Sequence, residues 1–193
     1  MFSVVTRMPL VAHLAASALA FAGFQWIKAR LDASYAASRH PVDYATGQLA
    51  FDAQVIEGYY AHMRDAGTLP IYWQTQFIDF GFIAAVMAVA VFLGLLAARL
   101  GGKIDRAGDW GWRLGVAAAI LGVAGAGFDA LENLLSFGML TRPEAIPQIL
   151  ALAYSGAAAV KFALLTAAMA CLVLSLIAGL AGRVVRVVAA RKG

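Results

Sequence analysis

Four long apolar runs alternate with shorter polar segments along the chain. They lie at about residues 8–28, 78–98, 113–138 and 149–182. Each run reaches the roughly 20 residues that a helix needs to cross a bilayer. The first exceeds the apolar core of about 7 to 15 residues that a signal peptide carries, so we expect it to be retained as a span. The pattern predicts an all-α fold, a polytopic membrane four-helix bundle, with residues 1–193 as a single integral membrane domain.

The composition agrees with this pattern. Hydrophobic residues make up 62% of the chain and charged residues 13%, whereas a soluble domain carries about 25% charged residues. The formal net charge of +4 comes from basic residues at the ends of the apolar runs, so we expect no nucleic-acid partner. Cys171 has no second cysteine with which to form an internal disulfide.

Basic residues also predict how the chain is oriented. Four spans place both termini and the loop between spans two and three on one side of the membrane. That side carries nine Lys and Arg residues and the other side five, so the positive-inside rule makes both termini cytoplasmic. The abundance of Arg and Ala suggests a bacterial inner membrane. The nine are Arg7, Arg99, Lys103, Arg106, Arg113, Arg183, Arg186, Arg191 and Lys192.

The loop between spans one and two, residues 30–75, is too long to lack structure. Its apolar residues recur at helical spacing, which predicts an amphipathic helix over residues 46–65 on the outer membrane surface, ended by Gly67. This helix either shields the ends of the bundle or covers a pocket. The apolar positions are Leu49, Ala53, Ile56, Tyr60 and Met63.

Several polar side chains inside the spans lie at a similar depth in the membrane. Counting 1.5 Å per residue from the basic residue at each cytoplasmic end brings Asp79, Asp129 and Lys161 to the outer part of the bilayer. We expect any ligand site at this level. The candidate ligand-binding residues are Asp79, Asp129, Glu132, Asn133, Lys161, Tyr154 and Gln76.

Span three indicates how these groups meet. Small residues alternate at spacings of four and three from Gly111, and the same stripe continues through Asp129 and Glu132. Lys161 is the expected partner of one carboxylate, because an unpaired charge in hydrocarbon is costly. With Asp79, three carboxyl groups face one ammonium, so at least one carboxyl should be protonated, hydrated or next to another cation. The same residues could instead form a structural clamp.

Known catalytic and metal-binding motifs do not occur. The three histidines, His13, His40 and His62, form no paired ligand set, and HExxH, GxSxG and phosphate-binding patterns do not occur. We therefore predict no metal and no cofactor, and we leave open whether the protein is an enzyme.

Several short motifs resemble a group of uncharacterised bacterial proteins with four transmembrane helices. The motifs are the Tyr59-to-Gly67 stretch, Tyr72 before Asp79, the segment from Phe128 to Asn133, and Lys161-Phe162. This resemblance implies no activity. The arrangement of the spans, without any matching motif, is similar to that of emopamil-binding and sterol-isomerase-like proteins, which implies only that such an arrangement can bind sterol-like amines or lipids.

Three functions follow from these observations. The first is binding or modification of a lipidic small molecule in a polar pocket near the outer leaflet. The second is an accessory or assembly subunit of a larger membrane complex, with the polar residues as a structural lock. The third is a proton-coupled transporter, which would work as a homodimer. Membrane lipids are the expected partners in each case.

Overall fold

The computed structural model describes residues 2–102 and 106–190, and within these ranges the regular structure is entirely helical. Lys103, Arg191 and Lys192 of the topology prediction lie outside the described residues, and the side chain of Arg186 is not described. The helices are α1 (Phe2–Arg7), α2 (Leu10–Ser38), α3 (Tyr44–Gln48), α4 (Ala53–Asp65), α5 (Leu69–Gly101), α6 (Arg106–Leu140) and α7 (Gln148–Ala190).

Four of these helices are long and apolar enough to cross a membrane, so the chain is a multi-pass integral membrane protein. The predicted all-α four-helix membrane fold is confirmed. The helices run beyond the apolar runs that predicted them, because hydropathy detects only their apolar parts. Helix α2 continues past Lys28 to Ser38, and α5 begins at Leu69 rather than near residue 78.

The predicted continuous helix over residues 46–65 is wrong in its first part, because the helix is interrupted between α3 and α4. Phe51 has a left-handed backbone, with φ of 53°. Asp52 then caps α4, and its carboxylate accepts hydrogen bonds from the backbone N–H groups of Gln54 (2.8 Å) and Val55 (3.2 Å). An aspartate that bonds to these free N–H groups favours a new helix start over continuation of the preceding helix.

Helix α4 itself is amphipathic, as predicted. Its buried residues, Ala53, Ile56, Tyr60 and Met63, follow the predicted spacing. Leu49 was expected on the same face but is 38% exposed, because it lies in the break before the helix. Gly67 follows the helix with φ of 69°, the left-handed conformation that glycine adopts at helix ends without a Cβ penalty.

The chain forms two compact units. The first unit consists of the described parts of residues 1–22, 86–124 and 164–193, and the second of residues 23–85 and 125–163. Each unit contains segments of α2, α5, α6 and α7. Helices α3 and α4 belong to the second unit.

Close backbone approach organises the first unit. A Cβ atom added to Gly115 of α6 would lie 2.5 Å from the backbone nitrogen of Ala98 on α5. Gly101, Gly111 and Gly179 likewise bring the backbones of α5, α6 and α7 together. Small residues permit such contacts in membranes, where packing rather than hydrophobic burial holds helices together.

A buried histidine joins α2 to α5 in the same unit. The Nε2 atom of His13 lies 2.9 Å from the carbonyl oxygen of Phe92, and the Nη1 atom of Arg99 lies 3.1 Å from its Nδ1 atom. Arg99 also donates to the carbonyl oxygen of Met8 at 2.8 Å. Both ring nitrogens therefore have protein partners, which gives His13 a structural role.

The second unit has its own core, in which α4 packs against α5, α6 and α7. Ile56, Tyr60 and Met63 of α4 are buried with side chains such as Tyr72 and Tyr154.

Polar contacts fasten α4 to the α6–α7 connection. Glu57 accepts a hydrogen bond from the backbone N–H of Ile146 at 2.6 Å, and Arg64 forms an ion pair with Glu144. The first backbone N–H of α4, at Ala53, donates to the Gln148 side chain at 2.9 Å. These bonds fix the position of α4 within the second unit.

The glycine contacts yield a stability prediction. Gly115→Ala should lower stability by about 1–3 kcal/mol, because the added methyl group overpacks the α5–α6 contact. Gly127→Ala on the same helix is the matched control, since nothing lies within 4 Å of its added Cβ. Thermal unfolding in detergent measures both variants. Equal stability of the two would contradict the close approach at Gly115.

Candidate functional site

Lys161 is the centre of a buried polar cluster in the second unit. Its Nζ atom donates to Asp129 at 2.9 Å, to Gln48 at 2.9 Å, and to Glu132 through a short contact. Lys161, Asp129 and Glu132 are each at most 5% exposed. An ammonium group has three N–H donors, so this one is fully used. We call these four residues the Lys161 cluster.

Helix periodicity explains part of this cluster. Asp129 and Glu132 are three residues apart on α6 and therefore project on the same side, where Lys161 of α7 meets them. The sequence predicted a pair between Lys161 and one carboxylate, but the lysine bonds to both. The third partner, Gln48, comes from α3 and was not predicted. Nothing in the local sequence indicates that Gln48 bonds to a lysine 113 positions later.

Tyr154 and Asn133 adjoin the Lys161 cluster. The hydroxyl group of Tyr154 lies within hydrogen-bonding reach of the Glu132 carboxylate. The Nδ2 atom of Asn133 donates to the backbone oxygen of Gln76 at 2.9 Å, which ties α6 to α5. One buried oxygen atom, Oδ1 of Asn133, has no hydrogen-bond partner among the described residues.

A cleft opens beside this cluster in the second unit. It holds about 360 Å³ of empty volume, counting the part that is open to the surroundings. We call it the Asp79 cleft. Its lining residues are Leu31, Tyr35, His40, Tyr44, Gly47, Gln48, Tyr72, Thr75, Gln76, Asp79 and Tyr154.

Asp79 differs from the two carboxylates of the Lys161 cluster. It lies within electrostatic reach of Asp129, Glu132 and Lys161, but within the described part of the chain its carboxylate has neither a hydrogen bond nor an ion pair. The side chain of Gln76, one turn earlier on α5, is 92% buried (8% exposed) and also forms no hydrogen bond to a described residue. Both polar groups line the cleft.

Aromatic side chains form one wall of the cleft. The rings of Tyr35 and Tyr44 stack with centroids 3.8 Å apart, and the His40 ring stacks on Tyr35 at 5.1 Å. Burial lowers the pKa of His40 below its ordinary value of 6.5 and favours the neutral imidazole. The Nδ1 atom of His40 lies 3.0 Å from the carbonyl oxygen of Val42.

The sequence did not identify this aromatic wall. Of the two histidines that follow span one, His62 is exposed and His40 lines the cleft. Tyr35 lies beyond the apolar run of α2, in residues that were expected to be loop. Only the continuation of α2 to Ser38 brings it to the cleft.

Contacts between α2 and α5 indicate how deep Asp79 lies in the membrane. Ser34 hydrogen-bonds to Thr75 at 2.7 Å, and a Cβ on Gly81 would lie 3.2 Å from the Ile27 side chain. Asp79 lies between these two contacts, next to the part of α2 where the apolar run ends and Lys28 begins a charged stretch. Such a change from apolar to charged residues is typical of the membrane–water interface.

The acidic residues do not form a metal site. In residues 2–102 and 106–190, no group of three or more His, Cys, Asp or Glu side chains could hold a metal ion. Asp129 and Glu132 share the Lys161 ammonium, which leaves Asp79 as a single carboxylate in the cleft.

No protein-family model, curated protein or solved structure matches this chain. The resemblance to bacterial four-span proteins stays a prediction.

The Lys161 cluster predicts a large effect on stability. Lys161→Met should destabilise the protein by about 3–5 kcal/mol, because two buried carboxylates lose their cation. The control is Lys28→Met, which removes a half-exposed pair with Asp32 and should cost less than about 1 kcal/mol. Thermal or chemical unfolding in detergent measures the difference. A Lys161→Met variant as stable as the control would show that the pairing contributes little.

Proposed function

We propose that this integral membrane protein binds a lipidic small molecule in the Asp79 cleft. The observation that carries the proposal is the cleft itself, where Asp79 and Gln76 present polar groups without described partners. Buried polar groups normally have hydrogen-bond partners in a folded protein. A ligand head group would supply them.

The position of the cleft favours an amphiphile over a water-soluble molecule. Trp26 of α2 is 59% exposed, and the Arg30 guanidinium lies 4.3 Å from its ring. Exposed Trp beside a basic residue is common where a helix leaves the hydrocarbon. On α5, Phe77 is exposed directly after Gln76. A ligand at this level can place its head in the cleft and its tail among lipid chains.

The proposal assigns different roles to the predicted site residues. Asp79 and Gln76 would contact the ligand, with Tyr154 on the cleft wall. Lys161, Asp129 and Glu132 already satisfy one another, so they would support the site without touching the ligand. This division keeps the structural lock of the second hypothesis but makes it part of a binding protein.

We further propose that the protein lies in a bacterial inner membrane with both termini in the cytoplasm. The support is the excess of nine basic residues over five on the predicted cytoplasmic side. This orientation places the Asp79 cleft near the outer leaflet.

Native mass spectrometry after gentle extraction tests the proposed binding. The wild-type protein should retain a small amphiphile, and Leu31→Trp should lose it, because the larger side chain fills the cleft. Phe77→Trp is the control, since Phe77 is 64% exposed and does not line the cleft. Thermal unfolding shows whether each variant is folded.

Two results would contradict the proposal. One is a wild-type protein that carries no amphiphile and takes up none when lipids from its membrane are added. The other is equal retention by a folded Leu31→Trp variant and the wild type, which would place the bound molecule outside the cleft.

A further inference from the structure

We infer that the Asp79 cleft selects ligands with an organic ammonium head group, with Asp79 as the counter-ion. The inference rests on the proposed function and specifies the ligand class. It follows from three features of the second unit: its charge balance, the hydrogen-bonding state of the cleft, and the aromatic wall.

The charge balance leaves Asp79 without a cation. The Lys161 cluster and the adjoining cleft together contain three carboxyl groups, of Asp79, Asp129 and Glu132, and one ammonium, of Lys161. All three donors of that ammonium are directed to Gln48, Asp129 and Glu132.

The basic residues of the neighbouring α2 segment are also engaged. Lys28 pairs with Asp32 at 2.5 Å, and Arg30 lies over Trp26. No described basic residue forms an ion pair with Asp79. A positively charged ligand would therefore improve the electrostatics of the cleft, and an anion would be repelled.

The hydrogen bonds of the cleft also favour a donor-bearing ligand. The Tyr35 hydroxyl donates to the carbonyl oxygen of Val42 at 2.8 Å, and the Tyr44 hydroxyl donates to that of Leu31 at 3.2 Å. These two donors are thus already used. The Asp79 carboxylate, when ionised, accepts only, and the Gln76 amide offers an acceptor oxygen beside its own N–H donors. An N–H donor with a positive charge satisfies such acceptors best.

The aromatic wall distinguishes an organic ammonium from a hard metal cation. Calcium and magnesium require about six or more oxygen ligands, whereas this cleft offers one carboxylate, the amides of Gln48 and Gln76, and several rings. The faces of tyrosine rings attract ammonium groups, most strongly where water is excluded. Tyr35 and Tyr44 each cover one face of the other, and His40 stacks on Tyr35. The ring of Tyr44 lies in the same lining as Asp79, so this ring and the carboxylate can act on one head group.

Three probes with the same ten-carbon chain test the inference: decylammonium, decanol and decanoate. Calorimetric titration of the purified protein in a maltoside detergent should show decylammonium as the tightest of the three. Asp79→Asn should weaken decylammonium binding by at least about tenfold, which corresponds to about 1.4 kcal/mol, and leave decanol unchanged. Asp79→Glu, which keeps the charge, should retain most of the affinity.

Asp65→Asn is the matched control, because Asp65 is an exposed carboxylate of the same unit that does not line the cleft. It should bind decylammonium like the wild type. Thermal unfolding confirms that each variant is folded.

A second experiment identifies the source of the ammonium group. The delipidated protein is offered mixed vesicles of phosphatidylethanolamine and phosphatidylglycerol, and native mass spectrometry reports which lipid it retains. Selective retention of phosphatidylethanolamine that depends on Asp79 supports the inference with a lipid head group as ligand. Binding of decylammonium alone supports it with a free amine.

Failure of the ammonium inference and failure of the proposed function give different results. If decanol binds as tightly as decylammonium in a manner that Leu31→Trp abolishes, the ammonium inference is overturned and the proposed function survives. If neither the three probes nor the two lipids bind, both are overturned.

Discussion

The buried contact of Lys161 with two carboxylates is the interaction on which the second unit depends. It joins α6 and α7 through Asp129 and Glu132, and it brings in α3 through Gln48. Charges in a low-dielectric environment are tolerated only when they are paired and hydrogen-bonded. Helix α3 and the break that follows it are therefore held by a glutamine that completes the coordination of the ammonium.

All three N–H donors of Lys161 are used, which explains why Asp79 does not hydrogen-bond to this lysine. If the lysine had a free N–H donor, Asp79 could hydrogen-bond to it. With three acceptors already in place, Asp79 instead lines the cleft together with Gln76, Tyr35 and Tyr44. The structural clamp and the proposed ligand site, which the sequence offered as alternatives, thus lie side by side in one unit.

The sequence predicts those features that depend on local periodicity. Twenty-residue apolar runs defined the spans, and the three-residue spacing of Asp129 and Glu132 placed both on one face of α6. The sequence could not predict the interruption of the helix around Phe51. That interruption depends on capping by Asp52 and on a hydrogen bond from the Phe51 backbone N–H to the Ser155 hydroxyl. The aromatic wall was missed because α2 continues as a helix through residues too polar for hydropathy to detect.

The most direct test is an experimental density map of the protein extracted with its native lipids. We predict a head group in the Asp79 cleft, within hydrogen-bonding distance of Asp79 and Gln76, while Lys161 keeps its contacts with Asp129 and Glu132. A ligand bound to Lys161 in place of those carboxylates, or a lipid-saturated sample in which Asp79 pairs with a residue of the chain, would contradict the account.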